Sequence, residues 1–81
     1  MGVLRVISSR GDEQIIWKRH QVDVGDPEAL AAIREAERIF QQQLARGATA
    51  FTIERGSAPA RIDRFDAQAE QIVLAPRVAG G

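Results

Sequence analysis

The chain has 81 residues, 44% of them hydrophobic and 27% charged, with eleven basic side chains set against eleven acidic ones. A chain of this size makes one small domain that buries roughly 60–65% of its unfolded surface, which leaves no room for a large enclosed cofactor. Balanced charge argues against nucleic acid or an anionic membrane as partner. The absence of cysteine excludes disulfides, thiolate zinc sites and a thiol nucleophile.

The first predicted element is a strand over Val3 to Ser8 (VLRVIS), in which Leu4 and Val6 alternate with Arg5. Ser9 to Asp12 (SRGD) carry turn chemistry, and the RGD triplet is assigned to that turn. Glu13 to Arg19 (EQIIWKR) then read as a second strand, completing an N-terminal hairpin. Ile15 and Ile16 point to opposite faces of it, so one belongs to an exposed apolar patch, while Trp17 is assigned to the core. His20 to Asp26 form a connector with an extended piece at Val22 and Val24. The opening residues lack the charged start and apolar centre of a secretory signal, and no apolar run approaches spanning length, so the expected setting is cytoplasmic.

The sharpest boundary follows. Asp26 is a good N-cap, Pro27 suits the first helical position and Glu28 complements the positive end of the helix dipole. Leu30, Ala32, Ile33, Ala36, Phe40 and Leu44 repeat at helical spacing, with Arg34, Glu35, Arg38 and Gln41 to Gln43 on the wet side. Arg46 in the last turn and Gly47 beyond it are stop signals, giving a helix of about five turns.

Ala48 to Arg55 (ATAFTIER) form a strand with Phe51 and Ile53 on one face and Thr52 and Glu54 on the other. GSAPA is a turn, and Arg61 to Glu70 hold a short edge segment around Ile62 and Phe65. Gln71 to Ala75 (QIVLA) are apolar at almost every position, as suits a central strand. Pro76 ends its pairing, since proline has no N–H to give to a ladder. Strand, strand, helix, strand, short strand, strand predicts an α+β fold with one helix across a mixed sheet of four to five strands. Placing the last strand in the centre beside the first buries the richest sequence, and that arrangement is the β-grasp. The expected organisation is a single domain over 1–76 and a tail over 77–81.

The tail Arg77-Val78-Ala79-Gly80-Gly81 tapers from large to small side chains. Glycine has no Cβ, so another protein's backbone can approach it from any side, and a terminal glycine carboxylate is the least hindered acyl group a chain can present. The strand order together with the ending EQIVLAPRVAGG resembles the ubiquitin-like β-grasp proteins. It is similar at the C-terminus to the sulfur carriers of molybdopterin and thiamine synthesis, and also to bacterial ubiquitin-like proteins that occur alongside activating enzymes and isopeptidases. The resemblance implies a substrate and carrier with no catalytic residues, cofactor or metal of its own. An adenylyltransferase would spend Mg-ATP to activate the Gly81 carboxylate, with Gly80 beside it and Ala79, Val78 and Arg77 read by that enzyme. A conjugating enzyme and an isopeptidase are the further partners implied. Arg77 stands where the molybdopterin-type carriers usually have a second proline, which places a conjugated modifier first and a thiocarboxylate sulfur carrier second. A non-catalytic interaction module is the third reading.

Lys18 is the only lysine, so any polymer built through amines must use Lys18 or the Met1 amine. Ile16 is the candidate for a docking patch on the uncovered sheet face. His20 lacks a second His or Cys with which to hold a metal. Asp63 and Asp66 lack a partner for acid–base work and are assigned to the surface.

Overall fold

The computed structural model describes residues 1–8 and 11–76, without the side chains of residues 8, 11 and 12. Among them, strands β1 (Gly2–Ser8) and β2 (Gly11–Trp17), helices α1 (Arg19–Val22) and α2 (Pro27–Ala45), and strands β3 (Thr49–Ile53), β4 (Ala60–Ile62) and β5 (Gln71–Ala75) follow in chain order. The strands form one sheet in the order β2-β1-β5-β3-β4. β5 lies in the middle, parallel to β1 and antiparallel to β3. With one long helix packed on a mixed sheet, the architecture is α+β and β-grasp-like.

The hairpin register runs from Gly2 opposite Trp17 to Ser8 opposite Gly11. Gly11 and Asp12, expected in the turn, are therefore already paired in β2; residues 9 and 10, the remainder of that turn, lie outside the described residues. β2 also stops earlier than expected, at Trp17 instead of Arg19. Lys18 is extended and α1 begins at once, replacing the extended connector foreseen at Val22. The reason is local hydrogen bonding. Gln21 N–H donates to Lys18 O, Gly25 N–H to Val22 O and Asp26 N–H to Gln21 O, each at 3.0 Å, so the connector satisfies its own backbone while turning. Gly25 makes the reversal with φ +74°, a conformation that costs glycine nothing.

α2 starts as its sequence dictates. The Asp26 carboxylate accepts from Ala29 N–H at 3.1 Å, and Pro27 occupies the first position, where no N–H is needed. At the other end Gly47, with φ +94°, donates to Leu44 O, and Ala48 N–H donates to Gln43 O. Arg46 falls just past the helix instead of inside its last turn. Ala29, Ala36 and Phe40 are the buried residues of α2, with Ala32, Ile33, Ile39 and Leu44 partly covered. Leu30, placed on the apolar stripe by spacing, stays half-buried outside the main core, and Ala29 takes the inward position.

The core lies between α2 and the sheet face that carries Leu4, Val6, Trp17, Ala50, Ile72 and Leu74. β3 alternates as expected, but its covered positions are Ala50 and Thr52, and the Phe51/Ile53 face turns away. Register decides this: Ala50 and Thr52 sit opposite Leu74 and Ile72, on the helix side. The Thr52 hydroxyl donates to Ala60 O, so its burial leaves no orphan group. Phe65 is not part of a strand. It closes the end of the core from the β4–β5 loop, with its ring 5.7 Å from Trp17 and 5.8 Å edge-on from Phe40. Trp17 Nε1–H donates to Ala67 O at 3.0 Å and Arg19 to Gln68 O at 2.8 Å, tying that loop to the far strand. Among the described residues no helix is long and apolar enough to cross a membrane.

Gly2 lies flat against the Trp17 indole, and a Cβ there would overlap the ring. Gly2→Ala is expected to cost about 1–3 kcal/mol through overpacking. That is a fall in Tm of roughly 10 °C for a domain of this size, read by calorimetry or circular dichroism. Asp26→Ala removes the cap of α2 and should cost about 1 kcal/mol in urea unfolding.

Candidate functional site

A single helix covers one side of the sheet and leaves the other open, and pleat alternation sends every second residue there. Register lines these residues up in rows. Ile16 faces Val3, Val3 faces Gln71, and Gln71 faces Ile53. In the next row Arg5 lies between Gln14 and Val73, and Val73 faces Phe51. Ile16 is 50% exposed, Ile7 41% and Ile53 36%, while Val3, Phe51 and Val73 are half-buried. The result is a largely apolar face on the side away from α2, with Arg5 near its middle and Arg61, opposite Phe51, at its β4 edge. Ile16 lies on it, and Ile15, on the opposite side of β2, packs against the core. The wider extent of this face was not read from the sequence. Its signal was present in QIVLA: a strand apolar at both parities, under one helix, must leave half of its apolar residues uncovered.

β5 carries the chain to the end of this face. Because β5 runs parallel to β1, Ala75 and Pro76 emerge at the pole where β1 pairs Ser8 with Gly11, alongside Thr49 of β3. Val73 and Ala75 are on the open side, so the face and the exit share one strand. Arg77, Val78, Ala79, Gly80 and Gly81, the positions singled out in the sequence, lie outside the described residues.

The remaining candidates are scattered. Lys18 is exposed at the opposite pole, next to Trp17, whose partner is Gly2 at the start of β1. His20 is exposed on α1. Asp63 and Asp66 are exposed in the β4–β5 loop, where the Asp66 carboxylate accepts from Gln68 N–H at 2.9 Å and shapes the turn. Glu54 and Glu70 cap backbone amides reciprocally. Glu54 accepts from Glu70 N–H and Glu70 from Arg55 N–H, both at 3.2 Å. Among the described residues no three His, Cys, Asp or Glu side chains gather where a metal ion would be held.

A charge on the open face should leave the fold intact, because nothing there is packed against the helix. Ile16→Glu is expected to change unfolding free energy by no more than about 0.5 kcal/mol. Trp17→Ala, one residue on and pointing inward, should cost about 3–5 kcal/mol in the same denaturant titration. Equal costs would mean that Ile16 is part of the core.

No family model, curated protein or solved structure matches the chain.

Proposed function

We propose that this chain is a ubiquitin-like protein modifier whose Gly81 carboxylate is adenylated by a separate activating enzyme and then conjugated to an amine on a target. The observation that carries the reading is the placement of β5. The central strand runs along an exposed sheet face and ends at one pole, and the sequence beyond it is Pro76-Arg77-Val78-Ala79-Gly80-Gly81. An activating enzyme needs a surface to grip and a narrow acyl end to receive, and β5 joins the two. The open face supplies the grip: Ile16, Val73 and Ile53 give desolvation, and Arg5 gives a charged contact that fixes orientation.

In the activation step a Gly81 carboxylate oxygen attacks the α-phosphate of Mg-ATP in the partner enzyme. An O–P bond forms and pyrophosphate leaves. A thiolate of the partner then displaces AMP, and an amine displaces the thiol to give an amide. No step draws on a nucleophile or base of this chain, whose part is to present and orient the acyl group. A conjugating enzyme and an isopeptidase are the further partners of such a modifier. The second reading shares the first step: the adenylate is captured by sulfur and Gly81 becomes a thiocarboxylate. The likeness of EQIVLAPRVAGG to the sulfur carriers favours keeping it in view. A plain interaction module, with an incidental tail, is the reading that needs no activation at all.

Intact mass of the full chain after incubation with a cognate activating enzyme, Mg-ATP and a thiol trap separates these. An adenylate or thioester at Gly81 that passes to an amine is the expected result. Exchange of one terminal oxygen for sulfur assigns the carrier instead, and an unchanged mass removes both. Deleting Gly81 should abolish the product and is expected to leave Tm unchanged. Ile16→Glu should raise the KM of the activating enzyme for this chain at least tenfold, a loss of about 1.4 kcal/mol.

A further inference from the structure

The two edges of the sheet are unalike. β4 is three residues long and follows Pro59, and a short strand beside a proline is a common way to blunt an edge against pairing. β2, the other edge, is seven residues long, pairs one to one with β1 throughout, and contains neither proline nor lysine. Alternate residues along it turn their N–H and C=O groups away from β1, where the described sheet has no further strand. Lys18 is extended as well, with φ −89° and ψ 107°, so the edge runs straight on to the start of α1. Its charges lie at its two ends, Asp12 and Glu13 near Gly11 and Lys18 and Arg19 at the junction with α1. Midway between Asp12 and Lys18 is Ile15, half-buried on the helix side of the sheet.

We propose that β2 is a self-association edge, along which two copies of this chain pair antiparallel about a two-fold axis at Ile15 and join two five-stranded sheets into one. The inference is independent of the conjugation reading. Charge order selects both direction and register. Antiparallel pairing centred on Ile15 sets Asp12 opposite Lys18 at each end of the seam, with Gln14 opposite Ile16 between. Parallel pairing in register would set acid beside acid and base beside base, which is repulsive. An axis at Gln14 or at Ile16 loses the match of Asp12 with Lys18. At the axis the two Ile15 side chains meet, with Cβ atoms about 5 Å apart, and cover apolar surface that a lone copy leaves half-exposed. Facing residues share a side of the sheet, so both α2 helices lie on one side of the joined sheet and both open faces on the other. The contact is isologous and closes at two copies, because the outer edges are then the blunted β4 strands. One strand pair buries less than the roughly 1,200 Å² of a stable interface, so the dimer is weak, with a Kd on the order of 100 μM.

Sedimentation equilibrium of the full chain from about 10 μM to about 1 mM tests this. Wild type is expected to pass from 8.9 kDa to twice that mass across the range. Asp12→Lys and Lys18→Glu each turn both attractive pairs into repulsive ones. Either alone should weaken dimerisation by about tenfold, with Tm unchanged. An equimolar mixture of the two variants restores opposite charges at both ends of the seam and should dimerise as tightly as wild type. A wild type that stays at 8.9 kDa up to about 1 mM overturns the proposal and leaves the edge to a strand of a different protein. A wild-type dimer that both variants leave intact, or a mixture no tighter than the separate variants, places the contact elsewhere and overturns it equally.

Discussion

The structure depends on one pairing, that of β5 between β1 and β3. β5 pairs with a strand nearly seventy residues earlier and with one about twenty residues earlier, with Leu4 opposite Ile72 and Ala50 opposite Leu74. Those four residues, together with Ala36, Phe40 and Trp17, are among the most completely buried apolar side chains of the sheet–helix interface. A parallel pair cannot be closed by a hairpin, and the chain between β1 and β5 supplies the crossover, with α2 laid across the sheet. Removing β5 would leave two separate hairpins with no common core. So long-range a contact also makes closure a late event in folding, after the local hairpin and the capped helix have formed.

The same pairing makes the two faces of the sheet unequal. Gly2 and Ala50 keep the covered side shallow enough for Trp17 and Phe40 to fill it, and the loop carrying Phe65 and Ala69 seals its end. The open side has no such lid, yet its residues include Val3, Ile16, Phe51, Ile53 and Val73, with Arg5, Gln14, Arg61 and Gln71 among them. An exposed apolar sheet of this kind is unfavourable in a domain that acts alone and useful in one handled by a partner. It includes Val73 and Ala75 of β5, the last strand of the chain.

The polarity of that strand settles the rest of the geometry. With β5 parallel to β1, the C-terminal exit and the β2–α1 junction stand at opposite ends. An antiparallel β5 would have brought Pro76 out beside Gly2 and Trp17.

Much of the architecture was legible in the residues. Asp26-Pro27-Glu28 and Gly47 bound α2 through backbone groups that only local chemistry satisfies, and QIVLA announced a central strand through its apolar density. The connector at Arg19–Val22 was not legible, since one helical turn has too few residues to show a period. Nor was the inward face of β3 settled by its side chains. Phe51 and Ile53 are more apolar than Ala50 and Thr52, and only the register with β5 and the nearness of α2, which needs small residues beneath it, turned Thr52 in and Phe51 out. By itself the sequence determined the limits of α2 and the strand character of Gln71–Ala75, because each follows from neighbours along the chain. The tertiary structure alone decided which face stays open and which pole holds Lys18, because both depend on strand pairings between residues far apart in the chain.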